Sequence, residues 1–313
     1  AAPVVGVGDE EGDLGLGGVP GAIEAADAAA REAAADLLRA LRLAADDGAR
    51  VIAGGQTLVP LMAMRLARPT RLIDIARIPG LSFVREQGAS VVVGAATRQH
   101  VVENDAVIRA KVPLLAKVMP FVGHSATRAR GTVGGSIANG DAAAEIVLVA
   151  VTLEATLVWR EDGKDHEIPA AEFFLGPMVT SLPLAACLKS VSFPVWQEPR
   201  VGVGFHEINA RQSDFAFVSA AAQLALDADA RCTSATIGLG AATAVPMRLD
   251  AVADSLIGGA FDEAKVREAT GAALVDVEMM ADLHASADYR RRVAVTMVVR
   301  AVADAYASAA GRP

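Results

Sequence analysis

Two short stretches carry residue types suited to holding an anion: "AGGQT" at 53–57 and "TVGGS" at 132–136. Glycine admits positive φ and lacks a Cβ. Consecutive backbone N–H groups then converge on negative charge while Thr, Ser or Gln side chains add donors at the rim. Alone, either glycine pair reads as a turn between strands. Together, each just after an apolar strand, they favour a two-sided clamp, and a pyrophosphate is the ligand such a clamp suits best. The second stretch lies within "ARGTVGGSIANGDAAAE", where Asn139, Asp141 and Glu145 follow the glycines.

Other chemistries find no support. No GxGxxG follows a strand: the nearest run, "GVGFHE" at 202–207, ends in Glu and precedes a strand-like segment, and GxxxxGK[ST] is absent. Cys187 and Cys232 lie 45 positions apart, outside any CxxC or Cys/His cluster. The histidines at 100, 124, 166, 206 and 284 show no HxxxH or HxH spacing. No metal site is therefore expected on this chain, nor an iron–sulfur cluster.

The elements that must position these stretches follow from pattern. A chain of 313 residues, 53% hydrophobic, suffices for one large domain or two ordinary ones, and two is the better expectation. Residues 1–20 are rich in Gly and acids and read as a flexible arm. The Ala-, Leu-, Glu- and Arg-rich run from Gly21 reads as a helix stopping near Gly48. "RVIAGG" predicts a strand entering a glycine turn, and "LVPLMAMRLARPTRLIDIA" predicts a short helix, a Pro break and a strand. Strands pair around Gly88, Thr97 caps a helix from about Arg98, and Pro113 breaks the next helix before a stop near Gly123. A helix passing into a strand follows the second glycine stretch, and "ACLKSVSFP" is strand-like. Beyond Pro199 the pattern changes to strands, with a hairpin closed over 227–231 and helices from 251 onward. The expected fold is α+β with antiparallel sheets and a domain boundary between 185 and 200.

A net charge of −8 without a dense Lys/Arg run excludes nucleic acid or an anionic membrane surface as the main partner. No apolar run reaches the roughly 20 residues of a membrane span, no signal peptide is visible, and a soluble, cytoplasmic protein is expected.

"RVIAGGQTLVPLMAMRLARPTRLIDIARIPGL" and "RARGTVGGSIANGDAAAE" resemble the FAD-binding medium subunit of the molybdenum hydroxylases, the family of xanthine, carbon monoxide, quinoline, nicotine and caffeine dehydrogenases. "FFLGPMVTSL", "CLKSVSFP", "GFHEINARQSDFAFV" and "DLHASADYRRRVAVTMVVRA" extend the resemblance, in order, over about 22–310. It implies a vanillyl-alcohol-oxidase-type (PCMH-type) FAD-binding domain over 21–190, of two subdomains split near 100. A smaller C-terminal domain over 198–313, with a three-stranded antiparallel sheet and helices, would follow.

By motif, the resemblance places Ala53, Gly54, Gly55, Gln56 and Thr57 in a first pyrophosphate loop, edged by Ile52, Leu58 and Val59. Thr132, Gly134, Gly135 and Ser136 form the second. Glu145 falls near the ribityl chain, its plain alternative being a helix N-terminal carboxylate meeting the dipole. Leu188 and His206 fall near the flavin ring, although Leu188 reads equally as a core strand residue and relatives often carry Lys in place of His206. Phe121 and Phe205 are the aromatic candidates to cover the isoalloxazine. Asp214 matches a family Asp or caps a turn, and Asn139 and Asp141 either touch the flavin or shape the loop. Residues 1–20 match nothing in the family, Asp141-Ala142 replaces a common Asp-Pro, and two lone cysteines exclude the variant with an inserted cluster.

The implied role is electron transfer, with no catalytic acid or base on this chain. Electrons would come from two 2Fe-2S clusters on a small subunit, fed by a molybdenum cofactor on a large subunit, and leave FAD for an external acceptor. The implied assembly is a dimer of heterotrimers. The alternative is a free-standing flavin-dependent oxidase or dehydrogenase of the same fold.

Overall fold

The computed structural model describes residues 4–5, 35–37, 39–43 and 48–311. Most of the expected arm and much of the expected first helix lie outside these residues. Within them, 35–37 and 39–43 are helical. Val4–Val5, inside the expected arm, form β1, which pairs in parallel with a later strand.

Three sheets organise the chain. The first contains β1, β2 (Ala49–Ile52) and β3 (Arg71–Asp74) in the order β1-β3-β2, all parallel. Antiparallel sheets were expected throughout. Here the segment between β2 and β3 crosses over through α1 (Leu58–Ala63), and such a crossover is what brings consecutive strands side by side in parallel.

The second sheet is antiparallel. It is built from β4 (Val84–Gln87), β5 (Ser90–Gly94), β6 (Thr156–Glu161), β7 (Lys164–Pro169) and β10 (Cys187–Pro194), in the order β4-β5-β10-β6-β7. A separate hairpin, β8 (Phe174–Gly176) with β9 (Val179–Thr180), projects beside it. Between β5 and β6 run the helices α2 (Gln99–Asn104), α3 (Ala106–Lys111), α4 (Pro113–Val118), α5 (Ser125–Arg130), α6 (Val133–Asn139) and α7 (Glu145–Thr152). Asp105 caps α3, its carboxylate accepting from the N–H groups of Val107 and Ile108 at 2.8 and 3.0 Å. Thr97 does not cap α2 as expected: its hydroxyl bridges the N–H and C=O of Phe83 at 2.9 and 3.0 Å and ties β5 to the preceding loop. Every residue of α7 after Glu145 is buried, so this helix forms the centre of the larger core with Phe173, Phe193 and Leu157.

The third sheet holds β11 (Val201–Ile208), β12 (Val218–Leu226), β13 (Cys232–Gly240) and β14 (Met247–Arg248) in sequence order. The resemblance implied three strands, and the fourth is this two-residue addition. The hairpin β12–β13 closes on Asp227, whose carboxylate accepts from the N–H groups of Asp229 and Arg231 at 2.9 and 2.8 Å. Strand alternation gives this sheet two partners. Gly202 and Gly204 lie against the backbone of the last helix (Ala287–Ala309), where a Cβ on Gly204 would meet Ala301. Phe205 and Ala221 turn the other way and join the core of the preceding region.

Candidate functional site

The first glycine stretch leaves β2 at Ile52 and enters α1 through Gly55, whose φ of +70° only glycine adopts without strain. The turn places Gly54 at the beginning of a run of N–H groups, those of Gly54, Gly55, Gln56, Thr57 and Leu58, that donate to no protein acceptor among the described residues. Gly54, Gly55 and Leu58 are half-buried while Gln56 and Thr57 are exposed, so the run is open to an acceptor supplied from outside the chain.

The second stretch departs from its expected form. Gly134-Gly135 is no loop but the first turn of α6, with Thr132 as N-cap accepting from the Gly135 N–H at 3.0 Å. Gly134 donates to Ala95 O at 2.8 Å, so neither glycine amide is free. Glycine is required at 134 by packing, since a Cβ there would stand 2.7 Å from Ala95 Cα and O. At 135 a Cβ would meet only Thr132 Oγ1, at 2.8 Å. The two stretches touch: a Cβ on Gly54 would lie 2.5 Å from Arg130 O and 2.8 Å from Gly131 Cα. Their roles are therefore unequal. The first loop offers amides, whereas the second offers close approach and the side chains of Ser136 and Asn139.

Between them lies a cleft of about 660 Å³, in the range of small-molecule sites. Of the residues singled out from sequence, Ile52, Ala53, Gly54, Gly55, Gln56, Thr57, Leu58, Thr132, Gly134, Gly135, Ser136, Asn139, Asp141, Glu145 and Leu188 line it. Val59, Phe121 and His206 do not. Val59 is 52% exposed on α1, one residue beyond the loop edge. Phe121 packs edge-on against Phe205 with centroids 4.8 Å apart, so the two proposed ring covers cover each other. His206 turns to the opposite face of its sheet from Phe205, where Nε2 meets Asp304 Oδ2 of the last helix at 3.0 Å.

Sequence reading missed Gln99, Met178, Ser213 and Phe215, which also line the cleft. Gln99 is 5% exposed and its Oε1 has no protein partner, leaving an acceptor in the wall. Phe215, 73% exposed, stands beside the Asp214 already noted from sequence, and both reach the cleft only because the loop after β11 folds back toward it. No local signal marks these residues.

The charges in the wall are arranged quietly. Asp141 shapes its loop, its Oδ1 accepting from the Ala143 N–H at 2.9 Å, and it also faces the cleft. Burial pushes the Glu145 carboxyl up to about 7, against the pull of its own backbone N–H and with help from the Asp141 charge. Burial likewise pushes the Cys187 thiol up to about 12, so this wall residue is a neutral thiol. Both cysteines are free. Among the described residues no group of His, Cys, Asp and Glu could hold a metal ion.

The comparisons agree with this geometry. Residues 24–196 match the model of the FAD binding domain in molybdopterin dehydrogenase. The chain belongs to the family of FAD-binding medium subunits of the molybdenum hydroxylases. Residues 204–305 of this flavoprotein subunit match the CO dehydrogenase flavoprotein C-terminal domain. The subunit is 34% identical to the 6-hydroxypseudooxynicotine dehydrogenase complex subunit alpha of Paenarthrobacter nicotinovorans, over 85% of this chain and 90% of that protein. It is 31% identical to the carbon monoxide dehydrogenase medium chain of Hydrogenophaga pseudoflava, over 84% and 91%. The solved carbon monoxide dehydrogenase from that organism superposes with a TM-score of 0.82 at 31% identity, covering 87% of this chain and 95% of the other. Quinoline 2-oxidoreductase from Pseudomonas putida 86 gives a TM-score of 0.82 at 34% identity, with the same coverage. The α+β, PCMH-type fold of the subunit is that of these flavoproteins.

The cleft fits FAD on its own terms. Free amides suit a pyrophosphate, the orphan Gln99 acceptor and Glu145 suit hydroxyl or N–H donors, and the glycine at 135 leaves room for close approach.

Proposed function

We propose that this chain is the FAD-binding electron-transfer subunit of a heteromeric molybdenum-containing dehydrogenase. The observation that carries the cofactor assignment is the run of unpaired amides from Gly54 to Leu58 at one side of the cleft. These N–H groups would hold the pyrophosphate, with Thr57 and Ser136 hydroxyls at its rim. Glu145 would accept from the ribityl hydroxyls, and Leu188, 4% exposed on β10, would give the ring an apolar wall. When bound, FAD supplies the capacity to take electrons singly and release them as a pair.

The chain's own part is to bind, orient and shield that group, and no side chain of the cleft is assigned an acid or base role. Electrons would arrive from two 2Fe-2S clusters on a small partner subunit, fed by a molybdenum cofactor on a large one, and leave for an external acceptor. A dimer of such heterotrimers is the proposed assembly. Residues 21–190 would form the FAD-binding domain and 198–313 the C-terminal domain. The two free cysteines suit a cytoplasmic address. No helix among the described residues is long and apolar enough to cross a membrane.

The test is to purify the chain alone, strip it, and add FAD. Stoichiometric flavin uptake with no substrate turnover, turnover appearing only with the large and small subunits, is the expected result. A chain that takes up no flavin, or one that oxidises a substrate unaided, overturns the proposal.

A further inference from the structure

The wall of the cleft is poor in positive charge for a site that takes a pyrophosphate. Among the described residues that line it, the carboxyls are Asp141, Glu145 and Asp214, and Arg50 is the one cationic side chain. No motif marks Arg50, and its place follows from strand alternation. Ala49 and Val51 of β2 pack into the core with Leu37, Ala40 and Leu41, so Arg50 and Ile52 turn to the other face. Ile52 ends beneath the amide-bearing loop: a Cβ on Gly55 would lie 3.3 Å from Ile52 Cδ1. Arg50 stands two residues upstream on that face, about 7 Å along the strand, exposed and with a side chain long enough to turn to the loop.

Its guanidinium is largely uncommitted. One N–H donates to Ala49 O at 2.7 Å, and the fork carries five. The carboxyl on the neighbouring strand is Asp74, the register partner of Ile52, whose Oδ1 accepts from the Ala76 N–H at 2.8 Å. The other arginines near the two glycine stretches are taken: Arg98 donates to Arg130 O, and Arg128 pairs with Glu103 at 2.7 Å. Arg211, in the loop after β11, pairs with Asp214 at 2.9 Å. A pyrophosphate held by neutral amides in a wall of carboxyls gains from one fixed cation with several donors. The ring half of FAD is assigned to Glu145 of α7 and Leu188 of β10, which leaves the β2 side to the adenosine half. There Ile52, Leu58, Leu61 and Ile75 supply an apolar wall beside Arg50.

We propose that Arg50 is the specificity-determining residue for the adenylate end of the cofactor. Its guanidinium meets the pyrophosphate from the β2 side and favours the dinucleotide over FMN, which ends at a single phosphate on the ring side. The inference rests on the reading of the cleft as the FAD site.

The experiment is flavin-fluorescence titration of the stripped full chain with FAD and with FMN, in about 0.01 M and about 1 M salt, between which the screening length shortens from about 30 Å to about 3 Å. At the lower salt Arg50→Gln should weaken FAD binding about tenfold and change FMN binding by less than about twofold. Its gap from wild type should narrow at the higher salt. Arg50→Lys keeps the charge and should stay within about threefold of wild type. Arg267→Gln removes an equal charge from an exposed pair with Glu263, outside the cleft, and should bind as wild type does. Melts of the stripped Arg50 variants should coincide with wild type, because the side chain is exposed. Wild-type FAD affinity in Arg50→Gln, a loss of the same size at both salt concentrations, or an equal loss for FMN overturns the role of Arg50 and leaves the FAD site standing. A wild-type chain that binds no FAD overturns the site itself and this inference with it.

Discussion

Substituting Gly54 with Ala tests the clamp where its two halves meet. Gly54 has no positive φ, so Ala is not strained by backbone conformation, and the effect is steric. The new Cβ would sit 2.5 Å from Arg130 O, and ordinary contact requires the two loops to part by roughly 0.9 Å. Overpacking of this kind costs about 1–3 kcal/mol. The loops cannot part without moving the amides of Gly54 to Leu58 relative to Thr132 and Ser136, so the cost should fall mainly on cofactor binding. It then appears as a rise in the FAD dissociation constant of about 5- to 150-fold. Fluorescence titration of the stripped chain measures this, and a melt measures any part carried by the free fold. Gly271→Ala is the control: it lies within the helix Glu263–Ala273 with nothing within 4 Å, and it should leave FAD affinity unchanged while holding or raising the melting temperature. A Gly54→Ala chain with wild-type affinity and an unchanged melt would refute the proposed contact between the loops.

Three further outcomes are expected. Thr132→Ala removes the cap of α6 and should cost about 1 kcal/mol, a fall of about 2–4 °C in melting temperature, with weaker flavin retention. His206→Ala should leave FAD affinity unchanged and stability within about 1 kcal/mol, because its partly exposed pair with Asp304 lies on the far face of the sheet; lost flavin would return His206 to the site. Glu207 binds its proton in the folded chain up to about pH 8 but in the unfolded chain only up to about 4.5, so its contribution to stability declines as pH rises across that window. Melts of the stripped chain should therefore show Glu207→Gln gaining on wild type between about pH 5 and pH 8, and parallel curves would contradict the buried placement.

The first half of the clamp was legible because it is written locally. A strand, a glycine at positive φ and a helix start are neighbours in sequence there, so Gly54, Gly55 and Thr57 could be found by residue type and spacing, whereas the second stretch follows a helix instead of a strand and its glycines have no positive φ. The alternating pattern around the hairpins, the Asp227 turn and the Pro113 break were readable for the same reason. Sequence also determined what the chain lacks the residues to do, since two isolated cysteines cannot assemble a cluster.

Only the tertiary structure decided which way those residues face. Gly134 and Gly135 look alike in sequence and both line the cleft, yet only Gly134 is held against Ala95. Phe205 and His206 are adjacent, and strand alternation sends one into the core and the other to Asp304. Gln99 and Phe215 reach one cleft across a long sequence separation, and Phe205 joins the core centred on α7. Local chemistry selects the segments, but burial and facing are properties of the packed sheets, and no short window of sequence contains them.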